Sequence, residues 1–119
     1  MKNYFSIEEQ SCNCGCDGSV HNQVLLDMLN KARYRADIPF IVSSWYRCKD
    51  HNANVGGSAT SGHLQGKAVD IKYKNSVDLF KIVSSLVHAG FTRIGINYNK
   101  KFVHCDVSVD KLSPVLFTY

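Results

Sequence analysis

Ser61-Gly62-His63-Leu64-Gln65-Gly66-Lys67-Ala68-Val69-Asp70-Ile71-Lys72-Tyr73 is the stretch on which the reading of this chain turns. Its second half, 68–73, reads as a strand. Its first half closes a segment, 47–62, crowded with glycine, asparagine and serine, which reads as a long ordered loop. Long loops without secondary structure inside small domains are usually functional. His63 and Asp70 therefore stand seven positions apart, one at the end of the loop and one on the strand that follows.

Working outward, 93–96 and 102–107 read as two further strands joined by a turn at 97–101. Strand alternation puts His104 and Asp106 on one face and turns Cys105 to the other. Val24, Leu25, Met28, Leu29 and Ala32 recur at helical spacing, which predicts an amphipathic helix over 21–36. A second helix is expected from 76 to 87, capped by Ser76 and ended by Gly90. Phe40-Ile41-Val42 after Pro39 is a short strand candidate, Ser6–Glu9 a helical turn, and 12–18 an irregular loop. The order is helix, strand, loop, strand, helix, strand, strand. That implies a small α+β domain with two main helices and a mainly antiparallel sheet.

The chain has 119 residues and a net charge of +4. This length predicts one domain, 1–119, with the Cys-rich residues 1–20 as an N-terminal segment packed on it. Lysines and arginines are scattered in runs no longer than two, which argues against a nucleic-acid partner. No apolar run approaches ~18 residues, so no membrane insertion is expected. The N-terminus carries no apolar signal core, so the expectation is a protein made in the cytoplasm without a signal peptide. A monomer is expected.

His63, Asp70 and His104 form a candidate metal set: two imidazoles and a carboxylate commonly hold a catalytic zinc, with water in the fourth, open position. By spacing alone, buried or surface histidines explain these residues as well. His88 closes the second helix, where a histidine meets the helix dipole favourably. Cys12, Cys14 and Cys16 leave three readings open: a second metal site with His21 as fourth ligand, disulfides with Cys48 or Cys105, or reduced packing residues. The missing signal segment favours the last of these.

The run Ser61–Asp70 resembles the Ser-x-His-x-x-Gly-x-Ala-x-Asp signature of the zinc D-alanyl-D-alanine carboxypeptidases and related peptidoglycan peptidases. Ser43-Ser44-Trp45-Tyr46-Arg47 followed by His51-Asn52 is similar to that family's Ser-x-Tyr-Arg segment, and Phe102–Val107 to its closing His-x-Asp strand. Tyr4–Glu9 and the Cys-rich loop resemble small phage-type members. The resemblance implies the fold shared with the hedgehog signalling domain and one catalytic Zn²⁺ held by His63, Asp70 and His104. It further implies that Arg47 contacts substrate and steadies the oxyanion, and that Ser61 hydrogen-bonds near metal or substrate. His51 is a substrate-binding candidate on the same segment.

Where many members carry an acid three residues before the last histidine, this chain has Lys101. Asp106 is the nearest acidic substitute, either as general base or as a residue that orients a ligand histidine. The implied activity is hydrolysis of a peptide bond in the peptidoglycan stem peptide, as a carboxypeptidase or an endopeptidase. The implied setting is phage or prophage lysis of the bacterial cell wall, after release or as a virion component. The alternative is a zinc-containing module that binds wall peptide or protein without cutting it.

Overall fold

Alternation along the central strands separates the core from the site, residue by residue. In the computed structural model, which describes residues 2–16 and 18–119, strand β2 (Ala68–Lys72) and strand β4 (Phe102–Asp106) pair antiparallel. Met1 and Asp17, the latter inside the loop expected over 12–18, lie outside the described residues. Val69, Ile71, Val103 and Cys105 are fully buried against the helices, while Asp70, His104 and Asp106 point to the opposite face. Strand β3 (Arg93–Asn97) continues the rule, with Ile94 and Ile96 in the core and Arg93 and Asn97 on the far face.

The sheet has five strands in the order β1-β2-β4-β3-β5, with β1 spanning Ile41–Ser44 and β5 Val115–Thr118. Its first four strands pair antiparallel, and β5 joins β3 in parallel. Helices α2 (Gln23–Ala36) and α4 (Ser76–His88) cover one side, burying Leu25, Leu29 and Ala32 from the first and Ile82 and Leu86 from the second. The expected α+β class with two main helices and a mainly antiparallel sheet is what the chain adopts.

Helix α2 starts at Asn22, whose side chain accepts from the Leu25 N–H, and stops at Asp37 in left-handed conformation (φ 54°). For α4 the cap is Asn75 rather than the expected Ser76. Asn75 is extended (φ −152°, ψ 175°) and accepts from the Asp78 N–H at 2.9 Å, so Ser76 becomes the first helical residue. Three further elements depart from the sequence reading. The segment 47–62 holds a short helix, α3 (Lys49–Asn54), and a 3-10 turn, Gly62–Gln65, begins at its end. Strand β5 has no counterpart in the reading, because its four residues are partly or largely exposed and carry no long pattern.

The N-terminal segment is tied to the body. After the short helix α1 (Ile7–Gln10), Gln10 accepts from the Tyr46 N–H, and upstream Phe5 packs edge-on against Trp45 with ring centroids 5.6 Å apart. Trp45 is 2% exposed, as expected of a core residue.

β5 is seated by one close approach: Gly95 on β3 faces the Phe117 ring, and any Cβ at 95 would press into it. Gly95→Val is expected to lift β5 from the edge, at an overpacking cost of about 1–3 kcal/mol. The readout is faster amide exchange at 115–118 together with a lower Tm, while β2 and β4 keep their protection. An unchanged Tm and exchange pattern would mean that Phe117 does not pack there.

Candidate metal centre and its cleft

Strand register brings the candidate ligands together. Asp70 on β2 lies directly opposite His104 on β4, and Asp106 directly opposite Arg93 on β3. His63 arrives from the 3-10 turn, where the Ser61 hydroxyl at the N-cap accepts from the His63 N–H at 3.2 Å. Ligand atoms of His63, Asp70 and His104 all lie within 4.8 Å of one another, and all three residues are buried.

Hydrogen bonds on the outer sides of the imidazoles fix which nitrogens face inward. His63 Nδ1 is 2.6 Å from the Trp45 carbonyl oxygen, which only accepts, so Nδ1 carries the proton and Nε2 presents its lone pair. His104 Nε2 donates to Asp106 Oδ2 at 2.7 Å, which turns Nδ1 inward. The two inner nitrogens approach the same atom, Asp70 Oδ1, at 3.2 Å from His63 and 2.9 Å from His104. Three acceptors converging in a buried spot require a cation among them, either a proton or a metal ion. The N₂O donor set, with each histidine oriented from behind by a carbonyl or a carboxylate, fits zinc.

Without a metal, protons answer this need. Burial works against charge on Asp70, yet hydrogen bonds from His104 and His63 hold its carboxyl down at about 2. Burial likewise opposes a charged His104, but Asp106 and Asp70 outweigh it and raise its pKa above the ordinary histidine value. Asp106 is opposed by burial and then drawn down to about 2 by His104, the Ser108 N–H and Arg93.

Around these ligands lies a cleft of about 420 Å³. Arg47 lines it, with Nη2 3.3 Å from Asp70 Oδ2, Nε on the Ser44 hydroxyl and Nη1 on Asn52 Oδ1. Ser61 lines it too, beside the turn it caps. His51 is not brought there: it sits in α3, away from the cleft lining, where its backbone N–H meets Cys48 Sγ. Lys101 stands in the β3–β4 turn with φ 55° and faces a different surface.

Three contributions escaped the sequence reading. Buried Asn52 ties Arg47 to the Ser58 carbonyl, Arg93 grips Asp106 at 3.0 and 3.2 Å, and Phe117 on β5 and Tyr119 just after it line the cleft wall. Burial, and then the nearby Asp70 charge, push the Tyr119 phenol well above its usual range, so it stays a hydrogen-bond donor. Asn52 stands in the quoted His51-Asn52 pair, but nothing in sequence marks which of the two turns inward. Arg93 was legible only through register.

Comparison with known families finds that the model described as Peptidase M15 matches residues 3–106, a span that takes in His63, Asp70, His104, Arg47 and Asp106. No curated protein matches the chain. Among the described residues, no helix is long and apolar enough to cross a membrane.

Zinc must displace the proton that His104 holds, so its affinity is expected to fall as pH drops below the raised His104 value, by roughly tenfold per pH unit for one proton displaced. Chelator competition across pH 5 to 8 measures this, and a pH-independent affinity would refute it. In the metal-free chain the depressed Asp70 and Asp106 contribute stability that is present above the unfolded value of ~4 and lost as pH falls towards 2. The raised His104 contributes below ~6.5, and this is lost as pH rises through its folded value. Melting of the chelated protein should therefore peak on the mildly acid side, between these limits.

Proposed function

The chain belongs to the peptidase M15 family of zinc peptidases, and from that premise we propose that it hydrolyses a peptide bond in the stem peptide of bacterial peptidoglycan. The observation that carries this reading is the buried His63-Asp70-His104 convergence opening into a cleft with Arg47 on its wall. The cleft also carries Arg93, Lys100 and Lys111 against only two carboxylates, Asp70 and Asp106. Such a rim attracts an anionic peptide, and stem peptides are anionic. The proposed setting is wall lysis by a phage or prophage, with the protein acting as a monomer after release or on the virion.

In this reading His63, Asp70 and His104 hold the zinc. When bound, the ion supplies Lewis acidity, which polarises a scissile carbonyl and makes water a usable nucleophile near neutral pH. The remaining steps belong to the chain. Arg47 is pre-oriented by Ser44, Asn52 and Asp70, so its planar donors meet the developing oxyanion without reorganisation. The Tyr119 hydroxyl, kept protonated, is a second donor on the cleft wall. Ser61 keeps the turn that presents His63 in place.

Asp106 fits the orienting role better than that of general base. His104, Arg93 and the Ser108 N–H already occupy its oxygens, so it fixes the His104 ring and tautomer. One observation favours the second reading, a module that binds wall peptide without cutting it. Apart from Asp70 and Asp106, both engaged, no described residue lining the cleft carries a carboxylate, and Lys101 lies elsewhere.

Purified peptidoglycan incubated with the zinc-loaded protein should release new amino groups or D-alanine, and mass spectrometry of the muropeptides identifies the bond cut. Retained binding without release would establish the second reading instead. His63→Ala should abolish release, and Arg47→Ala should lower kcat by about 10²–10³. Asp106→Asn should lower activity and zinc affinity in parallel, each by about 10–100-fold. A larger loss of kcat with zinc affinity intact would assign Asp106 to proton transfer.

A further inference from the structure

Four of the five cysteines converge on one another and share no residue with the His63-Asp70-His104 group. Cys12, Cys14 and Cys16 come from the N-terminal segment, and Cys48 comes from the N-cap of α3. Their sulfurs all lie within 4.8 Å of one another, and none is bonded to another. Cys12 Sγ is 3.4 Å from Cys14 Sγ, and Cys14 Sγ is 3.6 Å from Cys48 Sγ. Ligands ~2.3 Å from a tetrahedral zinc stand about 3.8 Å apart, so these separations are close to those of a Cys₄ site.

We propose that Cys12, Cys14, Cys16 and Cys48 form a second, structural site for a thiophilic divalent cation, with zinc as its natural occupant. The backbone makes the short spacing workable. Gly15 takes φ +86°, a conformation open to glycine, and folds the run so that Cys14 and Cys16 both turn towards Cys12. The Cys12 N–H donates to the Gly18 carbonyl at 2.8 Å and closes this loop on itself. Backbone amides also point at two of the sulfurs: Cys48 N–H at Cys12 Sγ and His51 N–H at Cys48 Sγ, both at 3.4 Å. Amide donors of this kind stabilise the negative charge of thiolate ligands.

The fourth ligand is Cys48, not His21, whose ring is hydrogen-bonded to Gln23 instead. Cys105 takes no part, being fully buried in the core on the opposite face of β4 from His104. With four protein ligands the site is closed, which marks it as structural rather than catalytic.

Its position gives it a task. The link from Cys12 to Cys48 bridges 36 positions and fastens the N-terminal segment to the residue next to Arg47. In a chain of 119 residues, a metal clip of this kind adds the cross-link that packing supplies in larger domains. The site shares no ligand with the His63-Asp70-His104 centre, so the two are separable by experiment.

The test uses the full chain, purified under reducing conditions with zinc, and counts metal by plasma mass spectrometry. Wild type should carry two zinc ions per chain, the His63→Ala/His104→Ala variant one, and the Cys14→Ser/Cys16→Ser variant one. Loading the histidine variant with Co²⁺ should give the intense thiolate-to-cobalt absorption of a Cys₄ centre. A second measurement on the unmutated chain covers the case in which a variant does not fold. Iodoacetamide should label the exposed Cys14 and Cys16 slowly with zinc present and at least tenfold faster after chelation.

Zinc retained by the histidine variant, lost on cysteine substitution and protective of the thiols supports the site, whatever the outcome on peptidoglycan. A histidine variant that binds no zinc, or labelling unaffected by chelation, overturns the proposal. So does a mass four hydrogens low in reducing conditions, since it would show the thiols paired as disulfides.

Discussion

The structure around the site depends on one electrostatic constraint: His63 Nε2 and His104 Nδ1 both face Asp70 Oδ1, in a largely buried spot at the base of the cleft. Such an arrangement is costly unless a cation sits among the three atoms. Everything nearby serves to hold it. The Trp45 carbonyl and the Asp106 carboxylate take the outer nitrogens, Arg93 and the Ser108 N–H hold Asp106, and Arg47 balances the second oxygen of Asp70. A chain of polar contacts thus runs from the Trp45 carbonyl through the centre to Arg93 on β3.

The same strands perform two jobs because their faces are chemically opposite. One face of β2, β4 and β3 is aliphatic and is covered by α2 and α4. The other carries the charged and imidazole side chains. This economy suits a small domain, since the central strands serve core and cleft at once. Asp70 and His104 stand on strands whose opposite faces are fully buried, whereas His63 comes from a turn. That turn is secured by backbone pairing of the Arg47 N–H with the His63 carbonyl at 3.0 Å.

The two clusters of metal-ligating residues are unlike in kind. The histidine–aspartate centre has an open side towards a cleft of substrate size, which suits exchange of ligands and chemistry. The cysteine cluster offers four protein ligands, which suits a permanently held ion. Cys48 next to Arg47 is where the two come nearest along the chain, so order in the N-terminal segment bears on the geometry of the site wall.

Much of this was legible in the residues themselves. The apolar spacing of 21–36 and 76–87 and the run 61–73 carried the two helices, the central strand and the positions of His63 and Asp70, because periodicity and turn chemistry are local properties. Alternation along 102–107 was enough to place His104 and Asp106 together and Cys105 apart. What only the folded chain decided was long-range. Strand register set Asp70 against His104 and Arg93 against Asp106. Packing within 47–62 turned Asn52 inward and left His51 out of the cleft. The parallel edge strand β5 brought Phe117, and Tyr119 just beyond it, to the wall, and chain closure brought Cys48 to Cys12 across 36 positions. None of these contacts leaves a periodic trace in sequence, because each joins residues whose distance is fixed by how whole elements pack and not by their neighbours along the chain.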